Sequence, residues 1–140
     1  PSDISDSSNL LRMDLSQNLL TSTIPEALFR IPGLVSLVID NNFFSGTIPY
    51  SMTESITLGH LEMGRNLIEG TLPSGLSNMK STSYFHIRET LLEGTLPIEI
   101  FDMPVLSLLF LGDNAMTGSL PVVASPDSQL EQIDFHLNNF

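Results

Sequence analysis

The chain has 140 residues, and its 16 acidic against 5 basic side chains give a formal net charge of −11. Such a surplus repels phosphate backbones, so we expect no nucleic-acid partner. The longest apolar run, Val105–Leu111, is much shorter than the roughly 18 residues of a membrane-spanning helix. We therefore expect no direct membrane span in this segment.

Asparagine and proline recur along the chain at steps of 24 residues or a multiple of 24. The asparagines are Asn18, Asn42, Asn66, Asn114 and Asn138, and the prolines are Pro25, Pro49, Pro73, Pro97 and Pro121. A fixed period of this length is typical of a solenoid, in which stacked repeats contact only their neighbours. The whole chain, residues 1–140, is therefore read as one array of about five full repeats and a truncated sixth.

Each repeat opens with a predicted strand, because apolar residues alternate with other residues just before the asparagine position. These strands are expected at residues 12–15, 36–39, 60–63, 84–87, 108–111 and 132–135, side by side in one parallel inner sheet. After the asparagine, a glycine in most repeats indicates a turn, and the proline that follows argues against a central strand. Apolar positions 28, 52, 76, 100 and 124 close each repeat, with room only for an irregular or 3-10 outer wall.

Segments such as LVIDNNFFSGTIP and LEMGRNLIEGTLP resemble the plant-type leucine-rich repeat, LxxLxLxxNxLxGxIPxxLxxLxx. The match extends over residues 10–140 and recurs in register. The resemblance implies an α/β solenoid, wound as a right-handed superhelix with a parallel inner sheet. It also implies that the capping ends of such arrays lie elsewhere, so we expect this sequence to be part of a longer protein.

In the family that the chain resembles, the asparagine amides form a ladder that satisfies backbone groups of neighbouring repeats. The predicted ladder positions are Asn18, Asn42, Asn66, Thr90, Asn114 and Asn138. Thr90 breaks the series, and the leading leucine of the same repeat is replaced by Thr82. A hydroxyl satisfies fewer partners than an amide, so the fourth repeat is expected to be the weakest joint. The alternative is neutral drift at a tolerant position.

No sequence motif indicates an enzyme, since the chain lacks a phosphate-binding glycine loop and the HExxH, CxxC and GxSxG patterns. On the predicted sheet Ser36, His60 and Glu62 are neighbours, but without an oxyanion hole they do not make a catalytic triad. A divalent metal could contact His60, Glu62 and His86. The alternative is a solvated Glu62–His86 pair. We predict no catalytic residue, no metal and no cofactor.

Large apolar side chains stand at solvent-facing positions of the fourth and fifth strands, where water would be expected. Tyrosine, phenylalanine and arginine are also the types enriched at binding hot spots. The predicted partner-binding residues are Tyr84, His86, Arg88, Leu108, Phe110, Glu62 and Asp113. The alternative is that another segment of the same protein covers this surface.

The leading hypothesis is a non-enzymatic module that binds a protein or peptide on its concave sheet, as a receptor-like or an inhibitor-like protein. The alternative is a structural or docking subunit of a large assembly, including a membrane-associated one. The chain contains no cysteine and no N-x-[ST] site. These absences leave the compartment open: an extracellular or membrane-associated ectodomain is favoured, with an organelle lumen as the alternative.

Overall fold

The computed structural model describes residues 9–120 and 128–140 and contains the predicted inner sheet. Its parallel strands follow one another in repeat order, so the predicted arrangement is confirmed. They are Arg12–Asp14, Ser36–Val38, His60–Glu62, Tyr84–His86, Leu108–Phe110 and Gln132–Asp134. Each strand begins at the predicted residue and ends one residue early.

The register of the inner sheet pairs every residue with the residue 24 positions along, for example Leu37 with Leu61 and Leu61 with Phe85. Side chains 24 residues apart therefore stack in columns. The inward columns form one continuous core, in which Leu37, Leu61 and Phe85 are completely buried. Ile133 departs from the expected pattern with 45% exposure, because within the described residues its strand has a neighbour on one side only.

A second parallel sheet flanks the first, and the sequence analysis did not predict it. Its strands are Thr21–Thr23, Phe43–Thr47, Leu67–Gly70, Leu91–Thr95 and Ala115–Thr117. Glycine and proline were taken as evidence against strands in this region. The proline, however, lies beyond the end of each strand, and the glycine is tolerated within or beside it. Identical positions of stacked repeats can pair their backbones here whatever the strand propensity of the side chains.

The outer wall consists of 3-10 helices in the described repeats, as predicted. They span Glu26–Arg30, Tyr50–Glu54, Leu76–Asn78 and Ile98–Asp102. Their predicted apolar residues Leu28, Met52, Leu76 and Ile100 are buried. Pro121 and the predicted position 124 lie outside the described residues, as does the polar lead-in of residues 1–8. No helix in the described ranges is long and apolar enough to cross a membrane.

Asparagine side chains join successive repeats where the inner strands end. Asn66 is buried, and its Nδ2 donates to the carbonyl oxygens of Ile39, Met63 and Gly64, while its Oδ1 accepts the Phe44 amide at 3.0 Å. The side chains of Asn42, Asn114 and Asn138 make the corresponding contacts. Asn18, in the first described repeat, bonds only to carbonyls of its own repeat, those of Leu15 and Ser16. One side chain therefore serves both the backbone of its own repeat and that of the preceding one.

The fourth repeat handles this position differently. The Thr90 hydroxyl donates its single proton to Oδ1 of Asn114, so it gives none to the backbone carbonyls that an asparagine would contact. Two of those carbonyls are served from elsewhere, since Met63 O accepts Nδ2 of Asn66 and Ile87 O accepts Nδ2 of Asn114. The Ile68 amide lacks the side-chain carbonyl that Asn66 supplies to Phe44. Thr82, the second replacement, is buried and donates to the Leu58 carbonyl at 2.6 Å.

We predict that Thr90→Asn raises the free energy of unfolding by about 1 kcal/mol, because an amide would serve the backbone groups that the hydroxyl leaves without a side-chain partner. Asn66→Ala should lower it by about 1–3 kcal/mol, since buried carbonyls and the Phe44 amide would lose a partner. Urea denaturation measures both changes. Asn78→Ala, at an exposed asparagine outside the ladder, is the control. An unchanged or lowered stability of Thr90→Asn would contradict the weak-joint hypothesis.

A left-handed backbone conformation recurs where the second-sheet strands turn toward the proline. Gly46 and Gly70 have φ values of 73° and 78°, and later repeats also use glycine. The first repeat holds Ser22 in the same conformation, at φ 80°. The Cβ of an L residue makes this region unfavourable by roughly 1–2 kcal/mol.

Ser22→Gly should therefore stabilise the protein by about 1 kcal/mol, after the greater chain entropy of glycine in the unfolded state is subtracted. The reverse change, Gly70→Ala, should destabilise it, because the new Cβ would lie 2.9 Å from Cγ2 of Thr47 at a positive φ. Thermal unfolding followed by circular dichroism tests the pair. A lower melting temperature for Ser22→Gly would show that Ser22 makes a compensating interaction.

Candidate ligand-binding face

The solvent side of the inner sheet carries three columns of side chains, each advancing by 24 residues. The first contains Ser36, His60, Tyr84, Leu108 and Gln132; the second Val38, Glu62, His86, Phe110 and Asp134; the third Asp40, Gly64, Arg88, Gly112 and His136. The columns bring side chains from distant parts of the sequence onto one grid, and two clusters form on it.

An aromatic cluster, consisting of His60, Tyr84, His86 and Phe110, occupies the centre. The His60 and Tyr84 rings stack with centroids 4.3 Å apart and an interplanar angle of 9°. Tyr84 lies 5.6 Å from Phe110, and His86 meets Phe110 edge-on at 5.8 Å. Leu108 pairs with Tyr84 in the sheet and extends the apolar surface. All five side chains are half-buried, so they support one another and still present one face to solvent.

Carboxylates lie on the side of the aromatic cluster nearer the start of the chain. Oε1 of Glu62 is 2.7 Å from Nε2 of His60, and Asp40 lies beside His86. Burial raises the pKa of the Asp40 carboxyl, and burial also lowers the pKa of His86 below its ordinary value, which favours the neutral imidazole. Burial, reinforced by the nearby carboxylates, raises the pKa of the Tyr84 hydroxyl as well.

A charged cluster, consisting of Arg88, Asp113, Asp134 and His136, lies on the other side. Arg88 reaches Asp113 at 3.4 Å and Asp134 at 3.5 Å, while His136 lies 2.8 Å from Asp113 and 2.6 Å from Asp134. Burial opposes it, but hydrogen bonds from His136 lower the pKa of Asp134 overall. Gly112 leaves the room for this arrangement, since a Cβ there would overlap the His136 ring.

The predicted partner-binding residues all lie on this face. Tyr84, Leu108 and Phe110 form the apolar surface with His86, and Glu62 and the Arg88–Asp113 pair flank it. The sequence analysis did not assign Asp40, Asp134 and His136 to the site, nor His60 to the aromatic cluster. Their signal was available, because they occupy the same columns, but the pairing of their side chains could not be read from the repeat alone.

The structure gives the predicted enzyme-like and metal-binding groups other contacts. Nε2 of His60 is engaged by Glu62, and its ring face is covered by Tyr84. Within the described residues no hydrogen bond joins Ser36 to His60. The side chains that converge on Glu62 and His86 as potential metal ligands include Asp40 in place of His60.

A second apolar row, which the sequence analysis did not single out, runs along the side of the solenoid. It consists of the residue directly after each ladder position, and Leu19, Phe43, Leu67 and Leu91 are 81%, 49%, 49% and 54% exposed. The regular spacing was visible in the sequence. These residues were left out because the analysis concentrated on the inner sheet.

Comparison with known proteins follows from this geometry. The family model for the leucine-rich repeat matches residues 9–31. The crystal structure of a TDR receptor superposes with a TM-score of 0.92 over 99% of the chain, at 33% identity. The chain is a plant-type leucine-rich-repeat protein. It covers only 24% of that receptor's length.

Two further solved structures show the range of functions that this repeat fold serves. One is the ectodomain of the plant membrane receptor kinase GASSHO1/SCHENGEN3 from Arabidopsis thaliana, with a TM-score of 0.89 and 33% identity over 94% of this leucine-rich-repeat chain and 16% of the receptor. The other is a plant ice-binding protein, with a TM-score of 0.87 and 26% identity over 99% of this chain and 44% of that protein. No curated protein sequence matches the chain. Because the fold alone does not determine a function, the function has to be argued from the side chains on the face.

Proposed function

We propose that this array is a non-enzymatic, receptor-like module that binds a protein or peptide on its concave face. The observation that carries the proposal is the contiguous surface of Tyr84, Leu108 and Phe110. Apolar groups of this size on a solvent-facing sheet, with charged groups around them, are typical of interaction sites. Recognition of a partner requires no cofactor.

The comparisons support a receptor-like protein. The GASSHO1/SCHENGEN3 ectodomain was solved in complex with CASPARIAN STRIP INTEGRITY FACTOR 2. This chain spans a small part of that receptor, so extending ligand binding to it is part of the proposal. An ectodomain would place the array outside the cell or at a membrane surface.

The aromatic cluster would supply most of the binding energy. A partner side chain inserted between Tyr84, Leu108 and Phe110 would bury apolar area on rings that are already held in place, so little side-chain entropy is lost on binding. His86 and His60 hold these rings by edge and stacking contacts. We therefore assign the anchor pocket to the first three residues and a supporting role to the two histidines.

Charges at the rim would determine which partners fit. Arg88 is already engaged by Asp113 and Asp134, so it positions these carboxylates instead of presenting a free cation. Glu62 adds a carboxylate on the opposite side of the rings. Acidic groups on both sides favour a ligand with an apolar anchor flanked by basic residues, in keeping with the net charge of −11.

We predict that peptides selected for binding to the 140-residue chain from a random display library bind the concave face. Phe110→Ala should weaken them by about 2 kcal/mol or more, roughly thirtyfold, because it removes a wall of the anchor pocket. Isothermal titration calorimetry measures the change well below the melting temperature. Circular dichroism monitors folding, since Phe110 is half-buried and its truncation will lower stability to a modest extent.

The controls are Leu67→Ala, which truncates an equally accessible apolar residue on the side row, and Glu26→Gln on the outer wall. Neither should change the affinity. If Leu67→Ala abolishes binding while Phe110→Ala does not, the recognition surface is the side row. A loss in Glu26→Gln alone would assign binding to the convex wall, as expected of a docking subunit.

A further inference from the structure

Three side chains from consecutive repeats converge on one point of the inner face. Asp40, Glu62 and His86 each direct a potential ligand atom there, and these atoms all lie within 4.8 Å of one another. Nδ1 of His86 is 4.0 Å from Oδ1 of Asp40 and 4.0 Å from Oε2 of Glu62. Because the set mixes an imidazole with two carboxylates, it differs from a chance grouping of surface acids.

Two atoms of this group are buried without a hydrogen-bond partner, Oδ1 of Asp40 and Nδ1 of His86. Their separation of 4.0 Å is too long for a hydrogen bond to each other. Leaving a carboxylate oxygen and an imidazole nitrogen desolvated and unpaired is unfavourable. A single group placed between them could satisfy both atoms.

A metal ion has the right size for this position. Zinc binds imidazole nitrogen and carboxylate oxygen at about 2.0–2.2 Å, so two ligands of one tetrahedral ion lie roughly 3.5 Å apart. Small rotations of the three side chains would bring the 4.0 Å separations to that value. A Cβ at Gly64 would lie 2.8 Å from Oδ1 of Asp40 and 3.2 Å from Cε1 of His86, so the glycine leaves the floor of the site open.

The surroundings prepare the ligand atoms. His60 holds Oε1 of Glu62 at 2.7 Å, which leaves Oε2 directed toward His86, an arrangement like the outer-shell hydrogen bonds of known metal sites. A proton on His86 could pair with the carboxylates instead. Burial lowers the pKa of His86, however, and keeps the imidazole in the neutral form that coordinates metals.

We propose that Asp40, Glu62 and His86 bind one divalent transition-metal ion of the Zn²⁺ class, leaving a coordination position open to water or to a ligand atom of a partner. The imidazole and the small number of oxygen ligands disfavour Mg²⁺ and Ca²⁺, which need more oxygen ligands than the three side chains provide. The site differs from the set weighed in the sequence analysis, since Asp40 replaces His60 and His60 acts on Glu62. The inference does not depend on the proposed peptide binding.

The test titrates ZnCl₂ into the chelator-treated 140-residue chain by calorimetry and follows the melting temperature. We expect one saturable site in the unaltered protein. Asp40→Asn, which preserves the side-chain shape, and His86→Gln should each weaken zinc binding at least about tenfold and remove the thermal shift. His60→Gln should weaken it by about tenfold without abolishing it, because it changes the orientation of a ligand and not a ligand itself.

The matched control is His136→Gln, which removes another imidazole that contacts two carboxylates, at the far side of the face. Zinc binding should be unchanged in this variant. The proposal is overturned if the unaltered protein does not bind zinc, if Mg²⁺ binds equally well, or if all variants bind alike. It is also overturned if His60→Gln abolishes binding while Asp40→Asn does not, since that would identify His60 as the ligand.

Discussion

The hydrogen bonds of the buried asparagine side chains hold each repeat at a fixed register against its neighbour, and the remaining structure depends on that register. Asn66 connects Ile39, Met63 and Gly64 through Nδ2 and the Phe44 amide through Oδ1. Backbone groups that turn away from the inner strand would otherwise be buried without partners. A repeat shifted by one residue would lose these bonds and would also turn its apolar residues toward solvent.

A fixed register converts a linear repeat into a two-dimensional surface. Because equivalent residues stack at the spacing of parallel strands, about 4.8 Å, side chains 24 or 48 residues apart can form one cluster. His136 contacts Asp113, and Arg88 reaches Asp134, in this way. The core is repetitive, whereas the exposed columns vary, so the same scaffold can carry an aromatic pocket, a charged cluster and a group of metal-binding side chains within three repeats.

The period of the sequence was enough to predict the inner strands, the 3-10 outer wall and the residues that occupy the solvent-facing columns. The second sheet was missed because its strands are held by backbone pairing between repeats, which leaves no apolar alternation in a segment such as LIEG. The side-chain contacts were also beyond the sequence. Asp40 meets His86 diagonally, through the space above Gly64, and a column diagram does not reveal that a missing Cβ permits the contact.

Residue-resolved amide hydrogen exchange on the unaltered protein tests the role of the asparagine ladder most directly. The Phe44 and Leu92 amides bond to Oδ1 of Asn66 and Asn114, whereas the corresponding Ile68 amide faces the Thr90 position. All three residues are buried, so burial alone would protect them equally. The account predicts that Ile68 exchanges at least about tenfold faster than the other two, in keeping with the loss of roughly one hydrogen bond. Equal protection at the three positions would contradict it.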